Sequence, residues 1–216
     1  MKEIITKILD WSEVWAILIP LTVYVVNRKE KKKWERPLLI YLIITLINNL
    51  VIDFIFHPYL EYKVLQSNHI FYNLNSVVRF FCFISFFQYT YSAFEKLIPV
   101  TRVVFLIIVY FSYTVLNNAY DFNSKMMALE SAILLVFCII WFYLKIRDTN
   151  SGGYFSENSS WAVTGIFFYS AINFFVFLFY ETLIKSDNNF AFYIWDVHNI
   201  SFIIMCILFS FAFRKK

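Results

Sequence analysis

The sequence predicts an all-α, polytopic membrane protein of seven transmembrane helices. Three observations predict it. Hydrophobic residues fill 60% of the 216 positions, against 16% charged and only 3 Gly; a water-soluble fold of this size has too little interior to hide that much apolar surface. The apolar residues fall into seven runs near the roughly 20 residues that a span requires. Lys and Arg alternate from loop to loop, with 13 on one side of the predicted bundle and 5 on the other, the asymmetry that orients inner-membrane proteins.

The first run, 9–27, carries Trp11 and Trp15, ring systems suited to anchoring a span at the lipid–water boundary. No small-residue cleavage site follows it, and the basic stretch 28–36 (RKEKKKWER) stops transfer there, so it is expected to remain as a membrane anchor. The second run, 37–56, carries Asn48, Asn49 and Asp53, with His57 just beyond. Asn49, Asp53 and His57 are spaced by four and share one helix face. The third run, 70–91, opens with Asn73, Asn75 and Arg79, and the fourth, 99–118, closes on Asn117 and Asn118. The fifth, 126–146, begins with Glu130 and Ser131. A polar, Gly- and Ser-bearing connector at 147–160 leads to the sixth, 161–183, with Asn173 and Glu181. The seventh, 190–212, enters with Asp196, His198 and Asn199.

The loop charges place the N-terminus outside and the C-terminus in the cytoplasm, as an odd number of spans requires. One membrane domain, 1–216, accounts for the whole chain. A shift of 124 residues lays the second and third spans on the sixth and seventh, with Asn49 on Asn173, Asn75 on Asn199 and Cys82 on Cys206. That register implies a 3+1+3 arrangement of parallel repeats. In this respect the architecture resembles the sugar-efflux and PQ-loop transporters, although no span contains a Pro-Gln pair and the fifth has no proline to match Pro20 of the first.

The polar side chains inside the spans gather toward the face opposite the basic loops. The candidate cluster is Asn49, Asp53, Asn75, Arg79, Glu130, Asn173, Asp196, His198 and Asn199. Arg79 dominates its energetics, since it sits about 13 Å into its helix at about 1.5 Å per residue. A central Arg costs about 2.5–3.5 kcal/mol on insertion scales, which the Phe residues of that span barely offset. Arg79 is therefore expected to pair with at least one of Asp53, Glu130 and Asp196, the amides filling the remaining hydrogen bonds. Such a cluster serves either as a functional site or as interhelical glue, and composition leaves both readings open.

Cys82, Cys138 and Cys206 fall within spans without a neighbouring Cys and read as small apolar fillers. His57, His69 and His198 all lie on the outer side, which keeps a zinc-dependent hydrolase among the alternatives. Seven-helix hydrolases of the ceramidase and adiponectin-receptor type place two histidines four apart in the last helix, whereas this chain has only His198 there. No cofactor and no metal are therefore expected. Phosphate-binding Gly loops, a nucleophile elbow and a retinal-type Lys in the last span are missing from the sequence.

Four stretches, YLIITLINNLVIDF (41–54), IFYNLNSVVRFF (70–81), WAVTGIFFYSAINFF (161–175) and WDVHNISFIIMCILFSFAF (195–213), resemble a family of small seven-helix inner-membrane proteins of Bacteroidota. The resemblance implies roles for His198 and Asn199 in the last helix and for Asp53 in the second. Relatives carry a Glu on the third helix, where this chain has Arg79. An accessory membrane protein of RNA-targeting type VI CRISPR loci is similar in size and composition. The resulting expectation is a non-enzymatic inner-membrane regulatory or accessory protein with an outward-facing polar pocket, a defence-associated modulator or a partner of a signalling protein. Transport of a small solute or ion is the leading alternative. The expected partners are the lipid bilayer and a cytoplasmic protein met through Arg28–Arg36 and the tail Arg214–Lys216. No direct nucleic-acid contact is expected, and a homo-oligomer is compatible with the pattern.

Overall fold

The structure is a computed structural model that describes residues 8–9, 11–27, 32–52, 54, 69–116, 121–148, 157–186 and 188–214, with side chains for all of these except 115, 116, 184–186 and 188–192. Among the described residues the protein is wholly helical, without strands. The helices are α1 (Ser12–Val26), α2 (Glu35–Val51), α3 (His69–Gln88), α4 (Phe94–Phe111), α5 (Ser124–Arg147), α6 (Asn158–Ser186) and α7 (Asn188–Phe213). A π-helical turn, Ser112–Leu116, continues α4.

Among the described residues, five stretches are long and apolar enough to cross a membrane: His69–Gln88, Phe94–Thr114, Ser124–Arg147, Asn158–Leu183 and Tyr193–Phe213. The first two predicted spans contain α1, of 15 residues, and α2, of 17, the latter followed by π-helical Ile52 and Phe54. A turn at Trp11 holds the start of α1, where the amides of Val14 and Trp15 bond the Trp11 carbonyl. The fourth helix starts earlier than its predicted boundary at 99. Its first amides are met by the Tyr91 and Ser92 carbonyls, so Pro99 falls inside the helix. There its ring costs one intrahelical bond.

The chain divides into two compact units, one holding α1, α5 from Ala128, α6 and α7, the other α2, α3, α4 and the first turn of α5 up to Met127. This division differs from the 3+1+3 pattern of the sequence register, because α1 packs with α7 at the far end of the chain.

In the first unit α6 and α7 form an antiparallel hairpin. Trp161 meets Phe211 and Tyr169 meets Phe202. Gly165 lets the two backbones close in, since a Cβ there would stand 3.2 Å from the Leu208 Cβ and 3.4 Å from the Met205 carbonyl. α1 runs parallel to α7, with Glu13 beside His198 and Tyr24 edge-on to Phe213. α5 packs on α6 through Phe142 and Phe167 and through the Cys138 thiol, 3.8 Å from the Val163 carbonyl. One end of this unit is polar. Lys145 at the end of α5 pairs with Glu157 at 2.6 Å, Asn158 at the start of α6 donates to the Arg214 carbonyl at 2.7 Å, and Asn27 after α1 donates to that of Phe213 at 3.4 Å.

In the second unit α2 and α3 are antiparallel, with Trp34 edge-on to Phe86 and Tyr41 to Phe83. α3 and α4 are antiparallel as well. Phe80 stacks on Phe105 with centroids 3.5 Å apart, and Arg102 donates to Ser85 and Gln88. Only 17% of the apolar window on α4 is buried, and its open face carries Val100, Val103, Leu106, Ile107 and Tyr110. Such a contiguous apolar face suits lipid rather than water.

Candidate functional site

One side-chain network joins α1, α6 and α7. His198 lies ten residues into α7, about 15 Å along its axis at about 1.5 Å per residue, and is 5% exposed. Its ring is boxed by aromatics: Trp195 stacks on it at 5.0 Å, Tyr169 meets it edge-on and Phe177 is tilted against it. Nε2 lies 3.2 Å from Oε1 of Glu13 in the first turn of α1. Nδ1 contacts Oδ1 of Asn173 on α6. The Asn173 amide nitrogen donates to the Tyr169 carbonyl at 2.8 Å and to Ser201 Oγ at 3.0 Å, and Ser201 donates to the His198 carbonyl at 2.7 Å. Asn173 and Ser201 are fully buried.

Hydrogen-bond direction fixes one proton of this site. The Tyr169 carbonyl can only accept, so Asn173 must turn its NH2 toward it and its oxygen toward His198. An amide oxygen only accepts, so Nδ1 carries a proton. Nε2 then faces a carboxyl group. Either Nε2 also carries a proton and donates to the Glu13 carboxylate, or Glu13 carries it and donates to Nε2. In both forms the 3.2 Å contact is a hydrogen bond with one proton between the imidazole and the carboxyl group. Removing that proton leaves the Nε2 lone pair facing a carboxylate in a poorly hydrated setting, where unmet polar groups are most costly.

Asn199, the next residue, is fully buried and neither its amide nitrogen nor its amide oxygen has a hydrogen-bond partner. Ser12 Oγ and Ser170 Oγ, on α1 and α6, are likewise buried and unpartnered. Groups of this kind usually find a ligand or an ordered water.

The remaining predicted residues divide by unit. In the first, Glu130 on α5 is fully buried and Asp196 on α7 is half-buried. In the second, Asn49 and Arg79 are buried, at 4% and 5% exposure, and Asn75 is half-buried and accepts from Thr45 at 2.9 Å. Asp53, with His57, Asn117 and Asn118, lies outside the described residues. The structure thus brings Asn173 and His198 of the predicted set into contact.

A second polar network closes the start of α5. Asn73 on α3 donates to the Asp121 carbonyl at 2.8 Å and accepts from the Asn123 amide at 3.3 Å. Asn123 Nδ2 donates to Ser112 Oγ at 2.6 Å, in the π turn, and Oδ1 accepts from the Met126 amide as a helix cap.

Sequence reasoning missed Glu13, Ser201, Thr45 and Asn123. Glu13 was open to discovery as the one acid within the apolar run 12–26. Ser201 sits three residues after His198, on its face of the helix. Among the described residues, no group of three or more His, Cys, Asp and Glu is gathered as a metal site. His69 instead packs against Phe122. No protein-family model, curated protein or solved structure matches the chain.

Proposed function

We propose that the chain is a non-enzymatic, seven-span protein of the bacterial inner membrane, with its N-terminus outside, that acts as a regulatory or accessory protein by responding to protons at the Glu13–His198 pair. The observation that carries this reading is the bonding direction around Asn173, which puts a proton on Nδ1 and leaves Nε2 facing the Glu13 carboxyl group. Protonation then reports directly on helix packing, since the shared proton bridges α1 to α7. The titratable side chains in contact with the ring are Glu13 from α1 and Tyr169 from α6.

Topology enters through the basic end of the first unit. The C-terminal ends of α1, α5 and α7 and the N-terminal end of α6 meet there, together with Lys145, Arg147 and Arg214. The positive-inside rule assigns that end to the cytoplasm. The segment Arg28–Arg36 and the C-terminal tail would there meet a cytoplasmic protein. The family resemblance adds a defence-associated or signalling context for that partner. The unmet Asn199 amide favours a second reading, in which a small polar solute or ion enters the same region and is moved across the membrane.

Trp195 offers the test of the form in which Nε2 carries the proton, because an imidazolium stacked on an indole quenches its emission. In the purified full chain in lipid nanodiscs, emission should rise as pH is raised, and Trp195→Phe should remove that rise. Glu13→Gln removes the carboxylate that shares the proton and should flatten the titration. A Glu13→Gln protein that titrates like the parent rules the reading out. Proton-dependent solute flux in liposomes, lost with Asn199→Leu, would favour transport over regulation.

A further inference from the structure

At the basic end of the first unit, α1 and α7 finish side by side and leave a groove of about 390 Å³ lined by Thr22, Val23, Val26, Asn27, Phe211 and Arg214, with Ser210 behind. We propose that this groove is a binding site for a phosphate-bearing anionic lipid, with the headgroup on Arg214 and an acyl chain along Val23, Val26 and Phe211.

The lining is divided in the way a lipid requires. Val26 is 75% exposed and Phe211 41% exposed, both at the last turn of a helix, where a protein facing water would place polar side chains. Arg214 is exposed and, among the described residues, pairs with no carboxylate. Its neighbour at this end, Lys145, is already neutralised by Glu157 at 2.6 Å. The hydroxyls of Thr22 and Ser210 are turned back to the Leu18 and Ile207 carbonyls, at 2.7 and 2.6 Å. They keep lone pairs but offer no proton to the groove, so the guanidinium is the group that recognises charge. A guanidinium binds a phosphate through two parallel N–H bonds. Asn27 fixes the geometry by tying the end of α1 to the Phe213 carbonyl at 3.4 Å.

Both walls run on into basic sequence, with Arg28 and Lys29 after Asn27 and with Lys215 and Lys216 after Arg214. A free anion would use the charge and leave the apolar wall idle, whereas a lipid uses both.

This inference rests on the membrane reading above and is independent of the proton-sharing pair. Native mass spectrometry of the detergent-purified full chain, offered equal phosphatidylglycerol and phosphatidylethanolamine, tests it. At least a fivefold preference for the anionic lipid is expected. Arg214→Gln should reduce that preference to near parity, and Val26→Trp, which fills the groove without changing charge, should do the same. Arg147→Gln, at the same end but outside the groove, should leave it intact. Equal loss with Arg147→Gln would mean diffuse charge and would overturn the proposal, as would competition by inorganic phosphate at millimolar concentration. A protein that requires detergent yet shows no lipid preference removes the groove alone. One that stays dispersed without detergent removes the membrane reading as well.

Discussion

The two buried polar networks use similar side chains to different ends. In the second unit, Asn73 and Asn123 spend their hydrogen bonds largely on backbone: the Asp121 carbonyl and the amides of Asn123 and Met126. These bonds close a helix start, and no titratable side chain takes part in them. In the first unit the string runs from carboxyl to imidazole to amide to hydroxyl, and one of its contacts joins two titratable groups. Beside that string stands Asn199 with both amide atoms unmet. The contrast teaches that the number of polar side chains in a greasy helix says little about function. What separates glue from a responsive site is whether the bonds end on backbone groups, which have one state, or on a pair of titratable groups, which have two.

The sharpest way to break the comparison is Asn173→Leu. It removes the acceptor for Nδ1–H, one partner of Ser201 and the group that dictates the histidine's tautomer. An unmet buried donor costs about 1–3 kcal/mol. With the further bonds lost, thermal unfolding of the detergent-solubilised protein should show a deficit of about 2–3 kcal/mol. The pH dependence of Trp195 emission should weaken in the same variant, because either ring nitrogen can then carry the proton. A stability loss with an unchanged titration would detach the pair from the amide that is argued to control it.

Asn123→Ala makes the complementary cut. Loss of a helix cap costs about 0.5–2 kcal/mol, and Ser112 loses its donor as well. A deficit of about 1–2 kcal/mol is expected by the same unfolding measurement, with the Trp195 titration unaltered. If that titration moves, the two networks are coupled and the division into a structural and a responsive region fails.

Much of the fold could be read before the structure. Runs of apolar residues near the length of a span have few alternatives to helix in lipid, and each of the seven runs contains one. The losses were at helix ends, where Trp11 and Pro99 act through local bonding rather than hydropathy. The site was legible only in halves. Asn173 and His198 stand out as polar residues in apolar helices, so composition finds them. Glu13 lies 185 positions before His198 and near an expected interface, where an acid needs no explanation. Only the parallel packing of α1 on α7 gives it one. Ser201 and Thr45 carry hydroxyls that helices tolerate anywhere by bonding back to their own carbonyls, so a sequence does not mark the ones that bond across. Arg79 was legible as a cost, and its burial in α3 agrees with that.

Thr45→Val is the mildest cut and separates pairwise glue from both larger networks. Thr45 is 1% exposed and donates to Asn75 at 2.9 Å between α2 and α3. Valine keeps its shape and removes the hydroxyl. Hydrogen bonds between helices of membrane proteins average about 0.6 kcal/mol, because the partners find substitutes in the unfolded chain. Asn75 is half-buried and able to find one. A loss near that average, with no change in the Trp195 titration, would make this bond the baseline for a polar contact in this protein. The excess measured for Asn173→Leu is then the contribution of the proton-holding arrangement itself. A Thr45→Val loss as large as that of Asn173→Leu would mean that burial alone, and no special wiring, sets the cost in both regions.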